Sequence, residues 1–301
     1  MAEGVISLTT AWKKALFAGS EINGAIDESP EQHAITMGGY DQFLKNSESI
    51  DSLKSHFLNK NYQSGRLLYY EDFLDKHILK GERVLSIASG HCVNEVSLIN
   101  KGVRVVCSDL KKNSYHDHLK SLVDDFEMRE LNILENSEPE CFDAVFGLSL
   151  IYLFSEPELK RYLTNAKTKI RLGGKVIVEA TGSPAHFFSI GFHNYYLLFE
   201  ARVISWVRRI RGKKEVFVVK NHGYLRPNSD IVLAASELGL RLIDAKDYEF
   251  GAEFERSRII AAIIGKWPSL RPTVSFFGRL LGMPYIRMFC FENTKNINGD
   301  L

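Results

Sequence analysis

The residues best placed to do chemistry lie between Val84 and Leu110, in the run VLSIASGHCVNEVSLINKGVRVVCSDL. Arg83–Ala88 is apolar enough for a buried strand. Gly90 marks a turn, Asn94–Lys101 is helical and closed by Gly102, and Val103–Ser108 is a second strand. Asp109 ends that strand. In such a βαβ unit the turn backbone can approach a ligand closely, and the acid can accept hydrogen bonds from two ribose hydroxyls. A dinucleotide fingerprint G-x-G-x-x-G/A would place Ala88, Gly90 and Val93 at its three positions. Val93 is bulky where helix and strand must pack closely, so a nicotinamide dinucleotide fits poorly.

The elements around this unit alternate. After a helical and irregular opening with Leu53, Phe57, Leu67, Tyr70, Phe73 and Leu74 near helical spacing, strands are expected at 83–88 and 103–108. A short third strand follows in FEMRELNIL and a fourth in CFDAVFGLSLIYL. SEPELKRYLTNAKTKIRLGG reads as a helix with Ser155 as N-cap, acids in its first turn, and Gly173–Gly174 as its stop. KVIVEAT, RLIDAKDYEF and YIRMFCFE complete the strands. Strands alternating with helices predict a doubly wound, mostly parallel seven-stranded α/β sheet. The expected division is a helical N-terminal segment over 1–80 and a core over 81–301, with insertions at 183–222 and 251–284 forming a lid.

The 301 residues carry a formal net charge of +1, so no global field draws the chain to nucleic acid. The four cysteines Cys92, Cys107, Cys141 and Cys290 form no CxxC pair, which argues against zinc and a disulfide framework and for a reducing compartment. The acids and histidines show no convincing metal set. The first residues lack the charged-then-apolar pattern of a signal peptide, and the uncharged stretch Ala180–Phe199 is interrupted by Pro184 and polar residues. A cytoplasmic protein, with a membrane association left open, is the expectation.

Val84, Leu85, Ile87, Gly90, Leu98, Gly102, Val106 and Asp109 keep the residue types of motif I of the class I S-adenosylmethionine-dependent methyltransferases, which this stretch resembles. The likeness continues through LNIL, FDAVFGLSLIYLF, IRLGGKVIVEA and GYLRPNSDIVLAASELGLRLID. It implies the Rossmann-like methyltransferase fold and S-adenosylmethionine as cofactor. By position, Ala88-Ser89-Gly90 passes under the methionine part, and Asp109, followed by Leu110, holds the ribose. Asn132, followed by Ile133, meets the adenine amino group, and Ser149 and Leu150 flank the methyl group. Ser86 stands where the family commonly has an acid, and Ala88 and Cys92 where it has glycines. Cys92 fits if its φ is negative. Arg66 can pair with the cofactor carboxylate or be a solvated helix residue. Within the family the chain looks most like sugar-modifying enzymes of bacterial polysaccharide pathways, which implies O-methylation of a glycan or its precursor. A small-metabolite or lipid methyltransferase and a non-catalytic binding protein are the alternatives.

The insertion after the fifth strand contains FHNYYLLFEARVISWVRRIRGKK. On a helix, Phe192, Tyr195, Tyr196, Phe199, Val203, Trp206, Val207 and Ile210 form one stripe, with Arg202, Arg208 and Arg209 off it. The stripe over 192–214 reads as core packing, a homodimer contact or a peripheral membrane surface. An alcohol acceptor needs its proton removed. His222, where the chain re-enters the core before Gly223-Tyr224, is the candidate general base, with His193 next.

Overall fold

Strand β1 (Arg83–Ile87) is buried from Val84 to Ile87 on both faces, the signature of a central strand in a parallel sheet. Its neighbours are β2 (Arg104–Asp109) and β4 (Phe142–Gly147), both parallel to it. The structure, a computed structural model, describes residues 64–112, 114–181, 192–212, 227–252, 254 and 257–294. With β3 (Glu127–Glu130), β5 (Ile170–Thr181), β6 (Leu240–Phe250) and β7 (Pro284–Asn293), they form a seven-stranded sheet in the order β3-β2-β1-β4-β5-β7-β6. Chain order runs outward in opposite directions from β1 and β4, so the switch point lies between them. The carboxyl ends of these two strands open the crevice where such sheets take ligands.

Helix α1 (Ser64–His77) buries Leu67, Tyr70, Phe73 and Leu74 and is tied to α2 (Val93–Asn100) and the residue after it by Ser97 Oγ donating to Glu71 (2.7 Å) and by the Lys101–Asp75 ion pair (2.7 Å). Helix α3 is Ser114–Leu122. Helix α4 (Glu156–Thr168) begins with a complete capping box, Ser155 and Glu158 bonding each other reciprocally. It stops before the glycines expected to end it, because Ile170 is already paired with Phe142 as the first residue of β5. A register shift between Phe142 and Ala144 absorbs the irregularity.

Two compact units divide the described residues. The first takes 64–179, 232–246 and 288–294, and the second takes 180–231 and 247–287. The second holds a π-helical turn (Phe192–Tyr196) that runs into α5 (Leu197–Ile210), together with α7 (Arg258–Lys266) and α8 (Arg271–Leu280). Helix α6 (Asn228–Glu237) crosses the boundary in sequence. Within the second unit α8 lies directly on the chain leaving β6: a Cβ on Gly278 would sit 2.3 Å from the Gly251 nitrogen, so only glycine fits there. Phe192 and Met283 are its buried apolar pair, with Tyr196, Phe254, Ile260 and Leu281 packed around them.

In the first unit, Lys169 is fully buried between α4 and β5. Its ammonium donates to Asn136 Oδ1 and Glu138 O, each at 2.5 Å, and pairs with Glu140 at 3.2 Å. This one side chain fixes the loop that leads into β4. Lys169→Met keeps most of the volume and removes the donor to Asn136, Glu138 and Glu140, which are half-buried or exposed, while Glu140 keeps its Arg129 partner. Urea denaturation should show a loss of roughly 1–3 kcal/mol; a loss under about 0.5 kcal/mol would show that the loop holds itself.

Candidate functional site

The turn after β1 contains three residues in the left-handed region: Ala88 (φ 54°), Gly90 (φ 54°) and Cys92 (φ 53°). The condition under which Cys92 would fit without strain, a negative φ, is therefore not met. The chain keeps the backbone that glycines would give while carrying a methyl at 88 and a thiol at 92. Left-handed backbone costs a side-chain-bearing residue about 1–2 kcal/mol. The turn is held by its own bonds: Cys92 N–H donates to Ser89 O (2.9 Å), and Val96 N–H donates to Cys92 O (2.9 Å), starting α2. The buried Cys92 thiol donates to Gly90 O.

Below the turn lies a serine cluster. Ser89 Oγ donates to Ser86 Oγ (2.9 Å) and accepts from Ser108 N–H (3.0 Å), while Ser108 Oγ donates to Ser86 O (2.6 Å). Ser86 Oγ in turn donates to Glu95 Oε1 at 2.5 Å. Glu95, in the first turn of α2, is 3% exposed. Burial pushes its carboxyl up from 4.5 to about 7 and outweighs the hydrogen bonds from Ser86 and its own backbone N–H; the Asp109 charge pushes the same way. An acid thus lies one hydroxyl away from position 86, on the neighbouring helix.

Asp109 is half-buried at the end of β2. Its Oδ2 accepts from Gly90 N–H (3.0 Å) and its Oδ1 from Leu110 N–H (2.8 Å). It therefore clamps the turn. Leu110 beside it is 42% exposed, an apolar surface suited to the face of a base. Two residues of α3 hold the other side of the turn: Tyr115 OH donates to His91 O (2.8 Å), and His116 Nε2 donates to Gly90 O (2.9 Å), which fixes the imidazole proton on Nε2.

At the next strand end Asn132 is half-buried, with Oδ1 accepting from Leu134 N–H (3.1 Å). The amide oxygen expected to meet adenine is engaged locally by one bond. Ile133 is buried, and its carbonyl accepts from Asn165 (2.6 Å). Strand β4 ends at Gly147, so Ser149 and Leu150 lie in the turn beyond it rather than closing the strand. Ser149 is left-handed (φ 50°); its N–H donates to Glu179 Oε2 (2.8 Å), and its hydroxyl bonds the Tyr70 hydroxyl (2.9 Å). Leu150 is buried and Glu179, on β5, is fully so.

The structure therefore brings Ser86, Ala88, Ser89, Gly90, Asp109 and Leu110 together at the ends of β1 and β2, with Ser149 and Leu150 beyond β4. Arg66 lies on α1, its side chain outside the described residues, as is that of His193. His222 falls within 213–226, wholly outside them. Glu95, Tyr70, Tyr115, His116 and Glu179 escaped the sequence reading. Glu179 left one signal, an acid inside an apolar strand. Among the described residues no group of His, Cys, Asp or Glu is arranged to hold a metal.

The carboxylates of Asp109 and Glu95 with the turn's backbone suit a ligand carrying a ribose and a cationic amino acid moiety, as S-adenosylmethionine does. No protein-family model and no curated protein matches the chain. Solved structures do. One, an S-adenosylmethionine-dependent methyltransferase from Methanosarcina mazei, is 10% identical, with 74% of this chain and 98% of that one covered at a TM-score of 0.50. Another, a protein from Pyrococcus horikoshii, is 16% identical, with 78% and 92% covered at the same TM-score. The fold is that of the class I methyltransferases.

Glu95 gives the site a pH signature. Its folded-state pKa is raised, so the folded chain keeps the proton between about pH 4.5 and 7 while the unfolded chain releases it. Its contribution is then most favourable below pH 4.5 and declines as pH rises to 7, by about 3 kcal/mol in total. Glu95→Gln removes this titration. Urea unfolding at a series of pH values should show the variant gaining on the wild type as pH rises from 5 to 8. A difference constant across that range contradicts the buried titration.

Proposed function

We propose that the chain is an S-adenosylmethionine-dependent methyltransferase that binds its cofactor over the turn 88–92. The observation that carries this is Asp109: on the methyltransferase fold it stands at the end of β2, bonded to Gly90 N–H of the turn, where a ribose would meet it. The cofactor supplies an electrophilic methyl on a sulfonium. The chain's own residues bind and orient it: Asp109 holds the ribose hydroxyls, Leu110 lies against the base, and the Glu95–Ser86 pair faces the amino group. Ser149 and Leu150 border the methyl.

We further propose O-methylation of a sugar hydroxyl on a glycan or glycan precursor, as in polysaccharide biosynthesis. This reading is supported by the likeness of the motif series to sugar-modifying methyltransferases. The acceptor would be chosen by the insertions 183–222 and 251–284, acting as a lid, and the base would be His222.

Titration calorimetry tests the cofactor reading. The wild type should bind S-adenosylmethionine, and Asp109→Ala should weaken binding by roughly 2–4 kcal/mol through the loss of two charge-assisted hydrogen bonds, with the fold intact by circular dichroism. Unchanged affinity in the variant would remove Asp109 from the ribose. His222→Ala should lower turnover on the acceptor by ~10²–10⁴-fold with cofactor affinity nearly unchanged; a variant keeping more than about a tenth of wild-type turnover removes His222 as base.

A further inference from the structure

The apolar stripe of the first insertion is not a core face. Tyr195, Phe199, Val203, Trp206 and Ile210 follow helical spacing, and all five are exposed, Tyr195, Phe199, Trp206 and Ile210 by 64–75%. Only Phe192, at its start, is buried, with Tyr196 half-buried beside it. The same unit carries a second such surface, which the sequence pattern did not separate into elements. Ile259 and Ile263 of α7, Trp267 after it, and Phe276, Phe277 and Leu280 of α8 are all exposed. Soluble surfaces seldom expose so many large apolar side chains together.

Among the described residues of α5 and of 257–282, the exposed charges have one sign. On α5, Arg202, Arg209 and the following Arg211 are exposed. Residues 257–282 contain Arg258, Lys266, Arg271 and Arg279 and no acid. The one acid of α5, Glu200, is 3% exposed: its carboxylate accepts from Ser257 Oγ (3.1 Å) and Ile259 N–H (2.8 Å). The acid is spent inside, fastening α5 to the start of α7, where Ser257 is also the N-cap. Aromatic and aliphatic side chains bordered by cations, on short helices, suit the interface plane of an anionic bilayer. At 14 residues α5 is too short to span one, and no described helix is long and apolar enough to cross a membrane. Two copies of the chain meeting through these faces would set cation against cation, which disfavours a symmetric dimer.

We propose that α5 and the α7–α8 segment form a peripheral docking surface for anionic lipid membranes. The cations draw the unit to the headgroups, and Phe199, Trp206, Phe276 and Leu280 enter the interface. This stands apart from the cofactor reading, since it uses none of the residues at the turn.

Co-sedimentation of the full chain with phosphatidylcholine vesicles, with and without phosphatidylglycerol, tests the surface. Binding is expected only to the anionic vesicles, falling at least about tenfold from low to high salt as the charges are screened. The Arg202→Glu/Arg209→Glu variant and, separately, Trp206→Ser/Phe276→Ser should each weaken it at least about tenfold, with an unchanged circular dichroism spectrum. No binding to anionic vesicles at low salt overturns the proposal. So does equal binding to neutral vesicles. A dimer by light scattering that Trp206→Ser dissociates, without vesicle binding, would assign the surface to a second copy instead. Vesicle binding that is lost on removal of residues 1–63 would assign it to that segment.

Discussion

The short hydrogen bond between Ser86 and the buried Glu95 carboxylate joins the three elements on which the rest of the site depends. Ser86 is in the central strand, Glu95 opens the helix that follows it, and Ser89 of the intervening turn bonds the same hydroxyl. A carboxylate taken out of water is costly unless it is bonded. Burial raises the pKa of this one, and its bond to Ser86 sets the local arrangement around it. The turn can then keep three left-handed residues of which only one is glycine. The strain at Ala88 and Cys92 is offset by bonds converging from β2 and α3: Asp109 on Gly90 N–H, His116 on Gly90 O, and Tyr115 on His91 O. Strain held this way, at the mouth of a switch point, is the form a preorganised ligand turn takes.

The fold was legible because its signals are local and redundant. Apolar runs located the strands, Gly102 marked a helix stop, and the capping pattern at Ser155 began α4 where expected. The site was legible where position alone decides, as at Asp109. It was illegible where distant positions meet: no spacing rule links Ser86 of the strand to Glu95 in the first turn of the next helix through a hydroxyl. The left-handed backbone at Cys92 is likewise not read from its residue type, because side-chain type predicts φ only when neighbours do not override it. The α4 boundary failed because strand pairing of Ile170 outweighed helix continuation.

The two units divide the chain's chemistry. The first has its acids at the ends of the strands, buried or half-buried, where a small cationic ligand can meet them. The second has hidden its one α5 acid and left cations and large apolar side chains outside. A chain with a net charge near zero thus carries local fields of opposite sign, and a composition summary averages them away. Such an arrangement allows cofactor capture and surface docking to be tuned separately.

The central claim is that the turn 88–92 holds the cofactor although two of its glycine positions are occupied by alanine and cysteine. A crystal structure of the chain grown with saturating S-adenosylhomocysteine tests it most directly. The account predicts the ligand over Ala88–Gly90, its ribose hydroxyls on Asp109 and its amino group directed toward the Ser86–Glu95 pair. A turn left empty at saturating ligand, or a ligand bound with Asp109 uninvolved, would contradict it.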